Sequence, residues 1–349
     1  MPKSVLRRGL EGFHPYVPGE QPPDGAGWVK LNTNESPLPP SPRVIEAIKH
    51  AADDSLRLYP SPTAQPAREA VARRFGLEPS RVTVGNGGDE LIELCFRAFA
   101  GAGDTVAFPT PTYPLFEPLC RIHEAEPSRH PTEDFAELPP SLGPDPSPLK
   151  FIVNPNSPTG ALFDAHHVRA AVAASSGVVA IDEAYVDFAP RSALDLLETH
   201  GNVVLLRTFS KSYGLAGMRI GFALGSPDLI EALDAVKDSY NVDRLAIVAA
   251  VAAIEDEAHH RRLVEEVVRN RGELARALEE LGFEVVDSAT NFVFARPPRP
   301  AAEVVTALRE RKILVRHYDR EPIVGWIRVT VGTREQHAAL LDALKEVLA

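Results

Sequence analysis

Short apolar runs alternate with amphipathic stretches from about residue 65 onward. The apolar runs are RVTV (81–84), DTVAF (104–108), KFIV (150–153), VVAID (178–182) and NVVLL (202–206). Near-continuous apolar runs of this length, bounded by turn residues, are typical of strands buried on both faces. Helical patterns such as DELIELCFRAFA (89–100) lie between them. Strands that alternate with helices predict an α/β domain with a mainly parallel sheet.

The last hundred residues have a different pattern. EAHHRRLVEEVVRNRGELARALEELG (257–282) predicts a long helix that ends at Gly282. The runs FEVV, NFVFA, ILVRHY and WIRVTVG follow, with helical patterns near 301–311 and at the C-terminus. This order predicts a smaller α+β domain.

Two stretches interrupt these patterns. Residues 1–40 are rich in Pro and Gly and have little periodicity, which predicts an extended N-terminal arm that joins the small domain. Residues 125–148 are rich in Pro, Ser and acidic residues and predict a loop with a possible short strand. We therefore expect an arm (1–40), a large domain (41–245) and a small domain (246–349).

Composition narrows the choice of partners. The chain has 349 residues, 44% of them hydrophobic, and a net charge of −11. Nucleic acid and anionic membranes are poor partners for so acidic a protein. Cys95 and Cys120 match no metal or redox spacing. We expect a cytoplasmic protein with no metal site, because no signal-peptide pattern or membrane-length apolar run is visible.

Polar and small residues follow the predicted strands. Ligands bind outside the carboxyl ends of strands in a doubly wound sheet, so we expect these residues to share a site. In chain order they are GNGGDE (85–90), Tyr113, NPNSPTG (154–160), Asp182 with Tyr185, and Lys211 within TFSKSYGLAGMRIG (208–221).

Each of these features has an ordinary alternative. The glycines of 85–90 could bring a helix N-terminus close to an anion or form a plain turn; they match neither a P-loop nor a dinucleotide motif. Asp182 could face a cation or cap a helix. Lys211 could be a surface lysine or, when desolvated among small residues, a Schiff-base lysine. Arg219 could form an ion pair or, with Ser210, hold a phosphate.

Together these residues meet the needs of pyridoxal 5′-phosphate. That cofactor requires a lysine for its aldehyde, an anion site for its phosphate and a carboxylate for its pyridine nitrogen. It also requires an aromatic ring against its own ring and a donor for its phenolate oxygen.

An ordered series of motifs resembles one enzyme family across nearly the whole chain. The chain is similar to fold-type I, aspartate-aminotransferase-like pyridoxal phosphate enzymes, and within them to the histidinol-phosphate aminotransferases. The motifs are PYVPGEQ, KLNTNESP, YPSP, GNGGDE, PTYPLF, NPNSPTG, DEAYVDF, RTFSKSYGLAGMRIGF, ATNFVF and IRVTVGT.

The resemblance implies a role for each candidate residue at the cofactor. It implies that Lys211 binds the cofactor aldehyde, that Asp182 pairs with the pyridine nitrogen and that Tyr185 donates to the phenolate oxygen. It implies that Tyr113 stacks on the cofactor ring. The phosphate would be held by the backbone N–H groups of Gly88 and Asp89 together with Ser210 and Arg219.

The resemblance also implies contacts beyond the cofactor. Tyr59 would reach the phosphate of the neighbouring subunit's cofactor, which implies a homodimer. Arg328 would grip a substrate carboxylate or phosphate, Arg316 would be the second phosphate contact, and Tyr16 would belong to the arm that closes over the substrate.

One position departs from the family's pattern. The family usually has N-P-N-N-P-T-G, and the asparagine before P-T-G donates to the phenolate oxygen. Ser157 stands there in this chain. Its shorter hydroxyl leaves three possibilities for that contact: Ser157, Asn156, or Tyr185 alone.

The implied reaction transfers an amino group from histidinol phosphate to 2-oxoglutarate in histidine biosynthesis. An aromatic or other amino-acid aminotransferase is an alternative, as is a threonine-phosphate decarboxylase on the same scaffold. A pyridoxal phosphate-sensing regulator is disfavoured, because such proteins carry a DNA-binding domain ahead of this fold and the arm here begins at residue 1.

Overall fold

The computed structural model describes residues 6, 7, 9–23, 27–132 and 134–349. These residues form two sheets with helices packed against them. The strands are β1 (Val29–Leu31), β2 (Val82–Gly85), β3 (Thr105–Thr110), β4 (Glu126–Pro131), β5 (Leu149–Val153), β6 (Val178–Asp182), β7 (Val203–Thr208), β8 (Gly221–Gly225), β9 (Glu284–Val286), β10 (Phe292–Arg296), β11 (Ile313–Tyr318) and β12 (Trp326–Thr330).

The helices lie between the strands and at the C-terminus. They are α1 (Pro42–Ala51), α2 (Gln65–Phe75), α3 (Gly87–Phe99), α4 (Phe116–His123), α5 (Ala165–Ala174), α6 (Leu196–Thr199), α7 (Pro227–Val236), α8 (Arg244–Glu255), α9 (Glu257–Glu280), α10 (Ala301–Glu310) and α11 (Arg334–Leu348).

The large sheet has the order β2-β8-β7-β6-β5-β3-β4. Strands β3 to β7 pair in parallel, and β8 runs antiparallel to both β2 and β7. Every residue of β5 and β7 is buried, as continuous apolar runs require of a sheet covered on both faces. The predicted α/β class with a mainly parallel central sheet is confirmed.

Two apolar clusters cover the faces of this sheet. Helices α1, α2, α5 and α8 contribute to one cluster. Helices α3, α4 and α7 contribute to the other. The sheet therefore lies between two helical layers, and its carboxyl edge remains available for a site.

The smaller sheet has the order β1-β11-β12-β10-β9. The arm enters it as β1, which pairs in parallel with β11. Helices α9, α10 and α11 bury their apolar faces against this sheet. In β11 and β12, Arg316 lies directly opposite Arg328 in the antiparallel register.

The division between the domains at residue 245 stays a prediction. That residue lies inside α8, where Ala246, Ala249 and Ala250 are buried in the cluster under the large sheet. The packing therefore favours a boundary after α8. Throughout the described ranges, no helix combines the length and the apolar character needed to cross a membrane.

Candidate active site

A cleft of about 1380 Å³ opens at the carboxyl edge of the large sheet and is shared with the small sheet and the arm. It brings together most of the residues that the sequence predicted for the site. Those that line it are Tyr16, Gly88, Asp89, Tyr113, Ser157, Asp182, Tyr185, Ser210, Lys211, Arg219, Arg316 and Arg328.

One wall of the cleft is built for an anion. Helix α3 begins at Gly87, and its first-turn N–H groups have no partner within the helix. The Arg219 guanidinium lies beside this turn, with Nη1 at 3.5 Å from Ser210 Oγ and Nη2 at 3.4 Å from Asp89 Oδ2. Gly87 has φ +82°, and a Cβ there would come within 2.7 Å of Arg219 Nη2. The left-handed φ favours glycine here, and a side chain would displace the guanidinium from the start of the helix.

Lys211 lies three residues beyond the end of β7 and faces the same cleft. Its Nζ is 5.7 Å from the centroid of the Tyr185 ring. The Ser212 hydroxyl donates to Asp187, which anchors the loop next to the lysine. Within the part of the chain that the structure describes, Lys211 forms no ion pair, so its amine is available to a ligand.

Asp182 ends β6 and is 9% exposed. Burial raises the pKa of this carboxyl to about 6, and the nearby charges of Asp89 and Glu183 add to the effect. Two groups act to lower the pKa: the Ala184 N–H, which donates to Oδ1 at 2.9 Å, and the Lys211 ammonium. The carboxylate thus lies where a cationic partner would stabilise its charge.

Two tyrosines stand near the anion wall. The Tyr113 hydroxyl donates to Asp89 Oδ1 at 3.0 Å, and burial raises the pKa of Tyr113 well above its ordinary value. The Tyr16 ring lies 5.9 Å from that of Tyr113, centroid to centroid. Burial also raises the pKa of Tyr16, while the charges of Arg328 and Arg316 act to lower it.

The far end of the cleft holds two arginines, Arg316 and Arg328. Arg328 donates from Nη1 to Ser157 Oγ and from Nη2 to the Asn32 carbonyl, each at 3.3 Å. Arg316 donates to the carbonyls of Val17 and Pro18 in the arm, at 2.9 and 3.2 Å. Among the described residues, neither arginine forms an ion pair. Both guanidiniums can therefore bind an anionic group of a substrate.

Two of the predicted site residues do not line the cleft. Asn156 is buried and donates to the Pro111 carbonyl at 3.1 Å and to Thr159 Oγ1 at 2.9 Å. Tyr59 is 79% exposed and stacks on Tyr240 with centroids 4.6 Å apart. The roles of both residues stay predictions.

Asn34 is a site residue that the sequence reasoning did not single out. It lines the cleft and donates from Nδ2 to the Tyr185 hydroxyl at 2.9 Å. It belongs to the KLNTNESP motif, but nothing in that motif indicates its contact with a residue 151 positions away.

A lysine, a buried carboxylate and an anion wall at the carboxyl edge of a mainly parallel sheet define an enzyme site of the kind that the motifs predicted. The chain belongs to the aminotransferase class I and II family, whose model matches residues 26–344. This finding confirms the predicted family.

Two relatives named histidinol-phosphate aminotransferase match nearly the full length of the chain. The chain is 47% identical to histidinol-phosphate aminotransferase of Aromatoleum aromaticum (strain DSM 19018 / LMG 30748 / EbN1), over 97% of this chain and 98% of that protein. It is 44% identical to histidinol-phosphate aminotransferase 1 of Nostoc sp. (strain PCC 7120 / SAG 25.82 / UTEX 2576), over 99% and 98%.

A solved structure agrees with these relatives. The chain is similar to histidinol-phosphate aminotransferase from Sinorhizobium meliloti in complex with pyridoxal-5'-phosphate, at 30% identity and a TM-score of 0.85. The likeness covers 91% of this chain and 90% of that chain.

Proposed function

We propose that this protein is a pyridoxal phosphate-dependent aminotransferase that transfers the amino group of histidinol phosphate to 2-oxoglutarate. The observation that carries the substrate assignment is the pair of arginines, Arg316 and Arg328, which are cross-strand neighbours and both line the cleft of Lys211. Among the described residues, neither has a carboxylate partner. The relatives named histidinol-phosphate aminotransferase, which match almost the full length of the chain, support the same assignment.

The residues of the cleft fit pyridoxal phosphate. The structure gives one oxygen of Asp182 a hydrogen bond from Ala184 N–H and, among the described residues, gives the other oxygen no protein partner. The protonated ring nitrogen of the cofactor would donate to this second oxygen. Gly87 leaves room for Arg219 beside the start of α3, where a phosphate would meet free N–H groups and a cation.

When bound, pyridoxal phosphate supplies an aldehyde that condenses with amines and a ring that takes up the electron pair of a broken C–H bond. Asp182 holds a proton on the ring nitrogen, which favours that uptake. Lys211 Nζ is the base that removes the proton from the substrate α-carbon. Arg316 and Arg328 hold the anionic groups of the donor and then of the 2-oxo acid.

We further propose that the protein works as a homodimer in the cytoplasm. Tyr59 is exposed and outside the cleft of its own chain, together with exposed Leu56 and Leu58. Large exposed side chains clustered in this way are typical of an interface. In a symmetric dimer, each subunit would give its Tyr59 to the site of the other.

A single-turnover screen of amino donors tests the proposed function. The protein loaded with pyridoxal phosphate is mixed with histidinol phosphate, phenylalanine, tyrosine or threonine phosphate, and the cofactor absorbance is followed without any 2-oxo acid. We expect fast conversion with histidinol phosphate. Fast conversion with phenylalanine and none with histidinol phosphate would replace the proposal with an aromatic aminotransferase. Release of carbon dioxide from threonine phosphate would replace it with a decarboxylase.

A further inference from the structure

Asn34 is held between the two domains by a small network of hydrogen bonds. It is 1% exposed and has the left-handed φ of 55°, which asparagine adopts more readily than most residues. Its carbonyl accepts from Asn291 Nδ2 at 3.0 Å, and its backbone N–H donates to Thr330 Oγ1 at 3.0 Å. Its side chain reaches Thr330 on one side and Tyr185 on the other.

The hydrogen bonds to Thr330 and Tyr185 give the Asn34 amide its orientation. A backbone N–H can only donate, so Thr330 Oγ1 accepts from Asn34 and is free to donate its own proton to Asn34 Oδ1, at 3.2 Å. In this arrangement the oxygen of the amide faces Thr330. The NH₂ group then faces Tyr185 and donates to its hydroxyl oxygen at 2.9 Å.

This polarity leaves the Tyr185 proton for a ligand. The hydroxyl oxygen accepts from Asn34, and across the described residues the hydroxyl donates to no protein atom. Tyr185 is 7% exposed and lines the cleft near Lys211. Its remaining hydrogen-bonding capacity is directed at whatever the cleft binds.

We propose that Asn34 is a positioning residue: it fixes the Tyr185 hydroxyl as a donor to the phenolate oxygen of the bound cofactor. The inference rests on the proposed function, because it requires pyridoxal phosphate in the cleft. It also bears on the departure at Ser157, whose hydroxyl accepts from Arg328 at 3.3 Å and is shorter than the amide usual in the family. Because a serine replaces the longer amide at that position, the hydrogen bond from Tyr185 contributes more to the stabilisation of the phenolate oxygen.

A pH titration of the bound cofactor tests this role without turnover. A donor to the phenolate oxygen weakens that oxygen's hold on the proton it shares with Lys211 Nζ, so it lowers the pH midpoint of the cofactor's absorbance change. Tyr185→Phe should raise the midpoint by about one to two pH units. Asn34→Asp should do the same, because a carboxylate accepts the Tyr185 proton and turns it away from the cleft.

The double variant Asn34→Asp with Tyr185→Phe separates this effect from the added charge. We expect the shift caused by Asn34→Asp to be larger, by about one unit, with Tyr185 present than with Phe at that position. Equal shifts in both backgrounds, with the absorbance band intact, would overturn the inference alone. A wild-type protein with no band that depends on Lys211 would overturn the proposed function and this inference with it.

A matched pair at Thr330 tests the same polarity if Asn34→Asp does not fold. Thr330→Val removes the hydroxyl that fixes the amide, so the Asn34 side chain can rotate and offer its oxygen to Tyr185. Thr330→Ser keeps the hydroxyl. We expect a raised midpoint for the valine variant and the wild-type midpoint for the serine variant. Wild-type midpoints in both would contradict the role of Asn34.

Discussion

Asp182 shows how a single residue of the site works against the stability of the protein. Its carboxyl is buried, and the hydrogen bond from Ala184 N–H offsets only part of the cost of its charge. A bound ring nitrogen would supply the missing opposite charge. The residue is therefore best explained by what the cleft binds and not by the fold.

Asp182→Asn should stabilise the cofactor-free protein at neutral pH. The pKa of Asp182 is raised to about 6, so between about pH 4 and 6 the folded protein holds a proton that the unfolded chain, with a pKa of about 4, has lost. Stability contributed at this site therefore falls as the pH rises from about 4 to 6, and the cost is complete above that window. We expect the asparagine variant to be more stable at pH 7.5 by on the order of 1–3 kcal/mol.

Thermal or denaturant unfolding at several pH values measures this difference. The gap between the variant and the wild type should shrink as the pH is lowered toward 4, because both side chains are then neutral. The loaded variant should turn over more slowly by at least about a hundredfold, since it cannot hold a charged ring nitrogen. A gap in stability that does not change with pH would contradict this account of Asp182.

At the scale of elements, the start of α3 determines where an anion can bind. Its first residue has a left-handed φ, and the Arg219 guanidinium occupies the space that a side chain would need. Helix, glycine and arginine therefore form one unit of the site. The acidic first turn of the helix is part of the same unit, since Asp89 contacts both Arg219 and Tyr113.

Gly87→Ala should weaken the binding of pyridoxal phosphate by about ten- to a hundredfold, because the methyl group displaces Arg219 and strains the backbone. Equilibrium titration of the cofactor-free variant measures the affinity. Gly217→Ala is the matched control, since a Cβ there meets nothing within 4 Å and its φ is not in the left-handed region. Equal affinities in the two variants would show that the turn does not shape the anion site.

The sequence predicted the strands and helices whose own hydrophobic pattern is enough to specify them. Strands β5, β6 and β7 are continuous apolar runs, and each appears where its run lies. Strand β8 was missed because GFALG begins and ends with glycine, so its strand character depends on β2 and β7 beside it. Strand β1 was missed because its partner, β11, lies 284 residues further along the chain.

The residues of the site also differ in how far the local sequence indicates them. The positions of Lys211 and Asp182 could be predicted because one follows an apolar strand and the other ends one, and parallel strands end at one edge. Asn34 could not, since its role depends on Tyr185, Asn291 and Thr330, which only the folded chain brings together.

At the scale of the whole molecule, the site is assembled from parts that lie far apart in sequence. The large sheet supplies Lys211 and Asp182, the small sheet supplies Arg316 and Arg328, and the arm covers Arg316 through its carbonyls. The cleft is therefore lined by residues of both sheets and of the arm. The proposed dimer adds one further part, Tyr59.

Mixing two inactive variants tests whether sites are shared between subunits. Tyr59→Ala and Lys211→Ala subunits, each impaired alone, should form mixed dimers in which one site combines an intact Lys211 with an intact Tyr59. A statistical mixture should then recover about a quarter of the wild-type sites. Subunits are exchanged under mild denaturation and the activity is compared with that of each variant alone. Activity equal to the average of the two variants would contradict a shared site.

The most direct measurement is the location of the covalent bond between the protein and its cofactor. The loaded protein is reduced with borohydride, digested and analysed by mass spectrometry. We expect the added mass of the cofactor on Lys211 alone, and Lys211→Ala should bind the cofactor without a covalent bond and lose turnover. An adduct on another lysine, or normal turnover by Lys211→Ala, would contradict the account.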